Sequence, residues 1–136
     1  MDKTITISGK PVTFRKTGGT ILRYKREFGR ELNSDLAKIA KAMEPINRLR
    51  AAAAEAAEAK DGEKEAEIKG KITSICLGIE TEWIYDMLFI MAQQADPSIT
   101  DELAWIDSFD DFNAFDVFGE LMNMISGEQE VSRKNA

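Results

Sequence analysis

The stretch that decides the fold reads EWIYDMLFIMA over residues 82–92, where every position except Glu82 and Asp86 is apolar. From residue 68 into this stretch, apolar residues recur three or four positions apart, which is the spacing of one face of an α-helix. This stripe consists of Ile68, Ile72, Ile75, Ile79, Trp83, Met87 and Ile90. The pattern predicts one long central helix over about residues 63–95. Since its second half is apolar on nearly every side, the rest of the chain must pack around it.

The helix predicted over about residues 63–95 is not expected to span a membrane. Three carboxylates, Glu80, Glu82 and Asp86, interrupt it, whereas a membrane helix needs about 20 residues with few or no charges. Pro97 is expected to end the helix, because proline lacks an amide hydrogen and disfavours helical geometry in the residue before it. We therefore expect a core helix and no membrane partner.

Length and composition fit one globular domain. With 136 residues the chain can bury a core without covalent staples, and we expect a single helical domain over residues 1–127 with a disordered polar tail over 128–136. No basic start precedes an apolar run, so no signal peptide is expected. The single cysteine, Cys76, cannot form an internal disulfide and is predicted to be a buried, inert thiol. These features favour the reducing cytoplasm.

The net charge of −6 is unevenly distributed. Residues 1–50 carry 12 Lys/Arg against 5 Asp/Glu, whereas residues 51–136 carry 6 against 19. Charges of this size attract each other, either within one molecule or between the basic end of one copy and the acidic end of the next. The sequence leaves both arrangements open.

A β-hairpin is predicted at the start of the chain, over residues 1–15. Residues 4–7 and 12–14 alternate polar with apolar side chains, and SGKP at 8–11 supplies a turn. Two strands alone are marginally stable in water. The hairpin must therefore dock on the helices or pair with strands from another chain.

The next helix, with Thr20 as its expected cap, has a basic face. Arg23, Arg26 and Arg30 lie opposite its apolar residues. Basic side chains on an exposed face can contact phosphates, but the interruption by Glu27 is typical of an ordinary solvated helix. Nucleic acid is therefore not the expected partner, and we expect this face or the hairpin to mediate self-association.

The middle of the chain predicts a helix, a break and a helical arm. NSD at 33–35 supplies capping chemistry, and Pro45 is expected to break or reset the helix that follows. The Ala/Glu-rich residues 51–59 strongly favour helix. They predict a charged helical arm over about residues 46–71, with a turn at 60–63.

Two short helices, near 101–107 and 114–125, are predicted after Pro97. Five aromatic residues lie in or beside them: Trp105, Phe109, Phe112, Phe115 and Phe118. This density favours either packing against residues 83–91 or a protein-binding surface edged by aspartates. The predicted fold is thus mainly α, with an N-terminal β-hairpin followed by a bundle of five to six helices around the central helix.

The residues that carry most enzyme chemistry are sparse. The sequence contains no histidine, the commonest general base and transition-metal ligand. A calcium loop starting at Asp111 fails, because Asp116 occupies the position where the sharp turn requires glycine. We therefore expect no enzyme activity, no cofactor and no metal.

Two stretches also carry a resemblance to a known family. The first is GTILRYKREFGREL at 19–32, preceded by a hairpin that ends at 12–14. The second is MAQQADPSI at 91–99, followed by WIDSFD at 105–110. In order and spacing they resemble the tail assembly chaperones of long-tailed phages and prophages of Gram-positive bacteria.

The resemblance implies a non-enzymatic protein in the host cytoplasm. Such a protein binds the tape measure protein, keeps it soluble, helps recruit the major tail tube protein and is absent from the mature virion. It also implies a possible frameshift-extended form, for which Lys134 and Asn135 can be encoded by a slippery run. We expect Trp105, Phe109 and Phe112 to bind the client. The alternatives are a structural tail or connector protein retained in the virion and a small nucleic-acid-binding phage regulator.

Overall fold

The computed structural model of the chain describes residues 1–126, and in this part of the chain it is mainly helical. An N-terminal hairpin of two strands precedes six helices. The elements are β1 (Asp2–Ile7), β2 (Lys10–Arg15), α1 (Thr20–Phe28), α2 (Leu32–Glu58), α3 (Gly62–Leu77), α4 (Thr81–Ala95), α5 (Glu102–Asp107) and α6 (Ala114–Ser126). The predicted fold class is confirmed. The predicted tail over 128–136, the domain end at 127 and the codons of Lys134 and Asn135 lie outside the described residues.

The chain divides into two compact units. One unit combines Met1–Ser34 with the residues from Thr81 onward, and the other is Asp35–Glu80. The first unit therefore holds the hairpin, α1 and α4 to α6. The arm predicted over 46–71 falls within the second unit.

The hairpin forms where the sequence predicts it. β1 and β2 pair antiparallel with Ile5 opposite Val12. The two turn residues, Ser8 and Gly9, both have positive φ, at 50° and 77°, as a two-residue type I′ turn requires. The apolar face, formed by Ile5, Ile7, Val12 and Phe14, is at most 9% exposed. The hairpin thus docks on helices, and β2 contacts α4.

The core of the first unit is α4. It contacts β2, α1 and α6, and the six consecutive residues from Met87 to Ala92 are each at most 3% exposed. A helix covered on every side needs an apolar residue at every position, which explains the composition of the deciding stretch. α4 ends at Ala95, before Pro97, as predicted.

The long central helix predicted over 63–95 is interrupted. α3 ends at Leu77 and α4 begins at Thr81. Gly78 caps α3, and its N–H donates to the carbonyl oxygen of Ile75 at 3.0 Å. The apolar period continues across this break, so periodicity alone does not reveal it.

The longest helix is α2, with 27 residues, and it passes through Pro45. The predicted break at Pro45 is therefore wrong. The helix start predicted at 33–35 is confirmed to within about one residue, since α2 starts at Leu32 and Asp35 lies in its first turn. Proline removes one hydrogen bond and costs about 3 kcal/mol inside a helix. The strong helix formers that follow, including the alanines of 51–59, favour continuation.

The second unit has a small hydrophobic cluster of its own. Ala53, Ala56 and Ile68 form a buried cluster, with Leu49, Ala52 and Ile72 packed against it. A turn is present where predicted, although it covers residues 59–61 rather than 60–63. Asp61 caps α3 by accepting a hydrogen bond from the N–H of Lys64. Cys76 is half-buried, so the predicted full burial of this thiol is wrong.

Candidate binding groove and acid pair

The predicted partner-binding aromatic residues lie in the core of the first unit. Trp105 and Phe109 are each only 9% exposed, and Phe112 is half-buried. The Trp105 ring has its centroid 5.4 Å from that of Phe112, 5.8 Å from Phe109, 6.3 Å from Phe89 and 6.4 Å from Phe14. Core packing is therefore the alternative that fits these three rings, which form no exposed aromatic surface within residues 1–126. Partner binding by these residues stays a prediction.

The local sequence explains how Trp105 reaches the core. Asp101 caps α5 by accepting a hydrogen bond from the N–H of Ala104 at 2.8 Å. The helix ends after one and a half turns at Ser108, whose hydroxyl donates to the carbonyl oxygen of Trp105 at 2.6 Å. Hydrogen bonds thus fix both ends of this short helix, and the Trp105 side chain packs against the neighbouring aromatic rings.

An open groove of about 380 Å³ lies beside β2. Its apolar lining includes Pro11, Val12, Ile99, Trp105 and Phe109. The groove is thus bordered by the ring cluster and by the chain that follows α4. An apolar side chain from another protein fits such a lining.

Two charged residues also line this groove. Lys10 donates from Nζ to the carbonyl oxygen of Ser108 at 2.8 Å and lies 5.7 Å from the ring centroid of Phe109. Asp96 accepts hydrogen bonds from the hydroxyl and the N–H of Ser98, at 2.7 and 3.1 Å. These bonds lower the pKa of Asp96, so its carboxylate stays ionised at neutral pH. The groove therefore pairs an apolar lining with one fixed cation and one fixed anion.

The three arginines predicted to mediate self-association do not form one surface. Arg23 and Arg26 are exposed on α1 and line a second open groove, of about 480 Å³, together with Leu22 and Ile90. Arg30 lies beyond the end of α1 and makes different contacts. A role in self-association stays a prediction for all three.

Arg30 is directed into the first unit by the end of α1. Gly29 adopts φ of 72° and donates its N–H to Lys25, which closes the helix in a left-handed cap. The Arg30 guanidinium then donates to Oδ2 of Asp86 at 2.5 Å and to the Tyr24 hydroxyl at 3.0 Å. It also lies 5.5 Å from the ring centroid of Phe28.

The predicted cap of α1 is also different. Gly19 occupies the cap position and makes no side-chain cap bond. The Thr20 hydroxyl instead accepts from the N–H of Thr17 at 2.9 Å and donates to Oε1 of Gln94 at 2.7 Å. Thr20 is fully buried, so it joins α1 to α4 rather than capping α1.

Asp86 and Glu102 form an acid pair that the sequence does not suggest. Asp86 is 3% exposed on α4. Burial, together with a hydrogen bond to Asp86 and the negative charge of that residue, raises the pKa of Glu102 to about 8. The negative charge of Glu82 acts in the same direction, whereas Arg30 lowers the pKa. At neutral pH the protonated Glu102 therefore donates a hydrogen bond to the Asp86 carboxylate, which Arg30 neutralises from another direction.

Within residues 1–126, no group of three or more His, Cys, Asp or Glu side chains is arranged to hold a metal ion. In the same part of the chain, no helix combines the length and the apolar character needed to cross a bilayer. Comparisons with protein-family models, with curated proteins and with solved structures found no match.

Trp105→Ala should lower the free energy of unfolding by about 3–5 kcal/mol, because it leaves a cavity among the packed rings. Leu103→Ala on the same helix is the matched control. Since Leu103 is 70% exposed, its truncation should change the stability by no more than about 0.5 kcal/mol. Urea unfolding followed by circular dichroism measures both. Equal effects of the two substitutions would contradict the buried position of Trp105.

The acid pair predicts a pH dependence of stability. Folded Glu102 keeps its proton up to about pH 8, whereas the unfolded residue loses it near 4.5. The folded state thus binds more protons between these values, and the free energy of unfolding falls as the pH rises from about 4.5 to about 8. Glu102→Gln keeps a donor for Asp86 but cannot ionise, so this part of the fall should disappear.

Urea unfolding at several pH values across this window measures the effect. Glu120→Gln is the control, because Glu120 is exposed on α6 and the variant should keep the wild-type slope. An unchanged slope in Glu102→Gln would show that Glu102 does not carry the proton.

Proposed function

We propose that this protein is a tail assembly chaperone of a long-tailed phage or prophage. It binds the tape measure protein, keeps that long chain soluble and helps recruit the major tail tube protein in the host cytoplasm. The proposal rests on the resemblance of residues 19–32 and 91–99. The structural observation that supports it is the apolar groove beside β2, to which the second of these stretches contributes Ala95, Asp96 and Ile99.

The groove is suited to an apolar side chain from a helical client. Amphipathic helices bind by laying apolar residues into such grooves, and Pro11, Val12 and Ile99 supply the matching lining. Lys10 and Asp96 can pair with polar residues of the client on either side of the apolar side chain that enters the groove. Of the predicted client-binding residues, Trp105 and Phe109 contribute to this lining, whereas Phe112 is not needed for it.

The size of the groove favours a reversible complex. A groove of about 380 Å³ is near the lower end of the usual range of binding pockets, and an interface confined to so small a groove is weak and transient. Transient binding suits an escort that releases its client when the tail assembles. It suits a permanent tail or connector protein less well.

Ile99→Arg should abolish co-purification of the tape measure protein encoded by the same phage or prophage. The substitution places a charge in the apolar lining, while the main-chain carbonyl oxygen of Ile99 can still accept the hydrogen bond from Gln93. Leu103→Arg adds the same charge at an exposed position that does not line the groove, and it should leave co-purification unchanged. Pull-down from cells that express both chains measures the two variants, and circular dichroism checks that both are folded.

Retention of the client by Ile99→Arg would place the binding site elsewhere. Mass spectrometry of purified particles then tests the function itself. A chaperone is absent from mature particles, so finding this chain there at the level of tail components would favour the structural alternative.

A further inference from the structure

The outer edge of β1 carries backbone groups that the hairpin does not use. Lys16 donates its N–H to the carbonyl oxygen of Met1 at 2.9 Å. Because bonded pairs alternate along an antiparallel ladder, the inward-bonded residues of β1 are those at 3, 5 and 7. The N–H and C=O groups of Asp2, Thr4 and Thr6 therefore point away from β2. Within residues 1–126, none of these groups has a hydrogen-bond partner in the structure.

Among residues 1–126, no proline or bulge protects this edge, and the two charged side chains of β1 are already bonded, Asp2 to Arg15 and Lys3 to the carbonyl oxygen of Glu120. β1 is six residues long, contains no proline and pairs with β2 in one unbroken register. Asp2, Thr4 and Thr6 are all exposed. Long edges of this kind pair readily with another strand unless proline, a bulge or a covering element prevents it.

We propose that β1 pairs antiparallel with β1 of a second copy of this chain, across a two-fold axis at Thr4. The product is a four-stranded sheet in the order β2, β1, β1 of the partner and β2 of the partner. The pairing gives hydrogen-bond partners to the outward N–H and C=O groups of β1. It also adds the strands that a two-stranded sheet needs for stability.

The alternation of the backbone limits the pairing to a few registers. With Thr4 opposite Thr4 of the partner, Asp2 and Thr6 pair with each other and all three outward residues of each strand are bonded. Lys3 then faces Ile5 of the partner. A shift by two residues in one direction puts Lys3 opposite Lys3 of the partner, and a shift in the other direction leaves Asp2 unpaired. The sequence of β1 therefore favours the register whose two-fold axis lies at Thr4.

Charge does not oppose this arrangement. Within β1, Asp2 and Lys3 balance each other, and Asp2 also pairs with Arg15 at 2.9 Å. The remaining basic residues, Lys10 and Lys16, belong to or follow β2, which becomes an outer strand. The two outer strands lie three strand spacings, or about 14 Å, apart, which exceeds the screening length of about 8 Å at physiological salt.

We favour a second copy of this chain over the client as the partner of this edge. The outward N–H and C=O groups of β1 can bond to the same groups of an identical strand. The opposite edge, of β2, borders the groove assigned to the client. Self-pairing through β1 thus leaves that groove open. The inference does not depend on the proposed function, since it needs only this chain.

Thr4→Lys tests the proposal, because it places two lysines opposite each other across the axis. Thr13→Lys is the matched control. Thr13 faces Thr4 within the hairpin and its hydroxyl contacts that of Thr4 at 2.9 Å, so both variants lose the same bond and add the same charge. Sedimentation equilibrium should give a mass of twice 15.2 kDa for the wild type. Thr4→Lys should raise the dissociation constant of the dimer about tenfold or more. Thr13→Lys should change that dissociation constant by less than about twofold.

Mixing Thr4→Lys with Thr4→Glu should restore the dimer, since opposite charges then meet at the axis. Hydrogen exchange locates the interface: the Thr4 and Thr6 amides should be protected in the wild-type dimer and exposed in Thr4→Lys. A monomeric wild type, a dimer that Thr4→Lys leaves intact, or edge amides protected only when the tape measure protein is added would each overturn the proposal.

Discussion

The first unit depends on the burial of α4 on all of its sides. Burying one large apolar side chain contributes about 1.5–3 kcal/mol, and the six consecutive residues from Met87 to Ala92 are almost fully buried. Their combined contribution is on the order of 10 kcal/mol, as large as the net stability of a typical domain. β2, α1 and α6 contact this helix, so the hairpin is part of the core and not an appendage.

The same constraint explains the polar cluster. Asp86 is the charged residue within the buried part of α4, and a buried carboxylate without partners costs several kcal/mol. Arg30 neutralises it from the end of α1, and protonated Glu102 donates a hydrogen bond to it from α5. Two helices are thus held to α4 by the residue that would otherwise destabilise it.

Burial also determines which surfaces remain for partners. Trp105 and Phe109 pack into the core, and they also line the groove beside β2. The other available feature of the hairpin is the backbone edge of β1. The proposed client site and the proposed self-association site therefore lie on opposite edges of one small sheet, and one chain can use both at once.

Sequence reasoning succeeds here where the signal is local. Alternation predicts the hairpin, all-round apolar character predicts the buried centre of α4, and Gly62 with Asp61 predicts the turn between α2 and α3. It fails where a pattern continues across a change in structure, as the apolar stripe does across Gly78. It also fails where distant residues meet: Phe14 completes the ring cluster around Trp105, and no local spacing connects the two.

The acid pair illustrates the same limit. Asp86 and Glu102 belong to different helices, and Arg30 comes from a third segment. In the sequence, Arg30 and Glu102 resemble ordinary surface charges. The one local signal is an aspartate in the middle of an apolar stretch, which indicates that a basic partner must exist but does not identify it.

The most direct measurement is hydrogen exchange on this chain with and without the tape measure protein. If the rings serve the core and the groove serves the client, protection should rise in β2 and around Ile99, while the amides of α4 exchange slowly in both states. Faster exchange in α4 on binding, with Trp105 becoming exposed to solvent or to the client, would contradict the account, because the ring cluster would then open to form the binding surface.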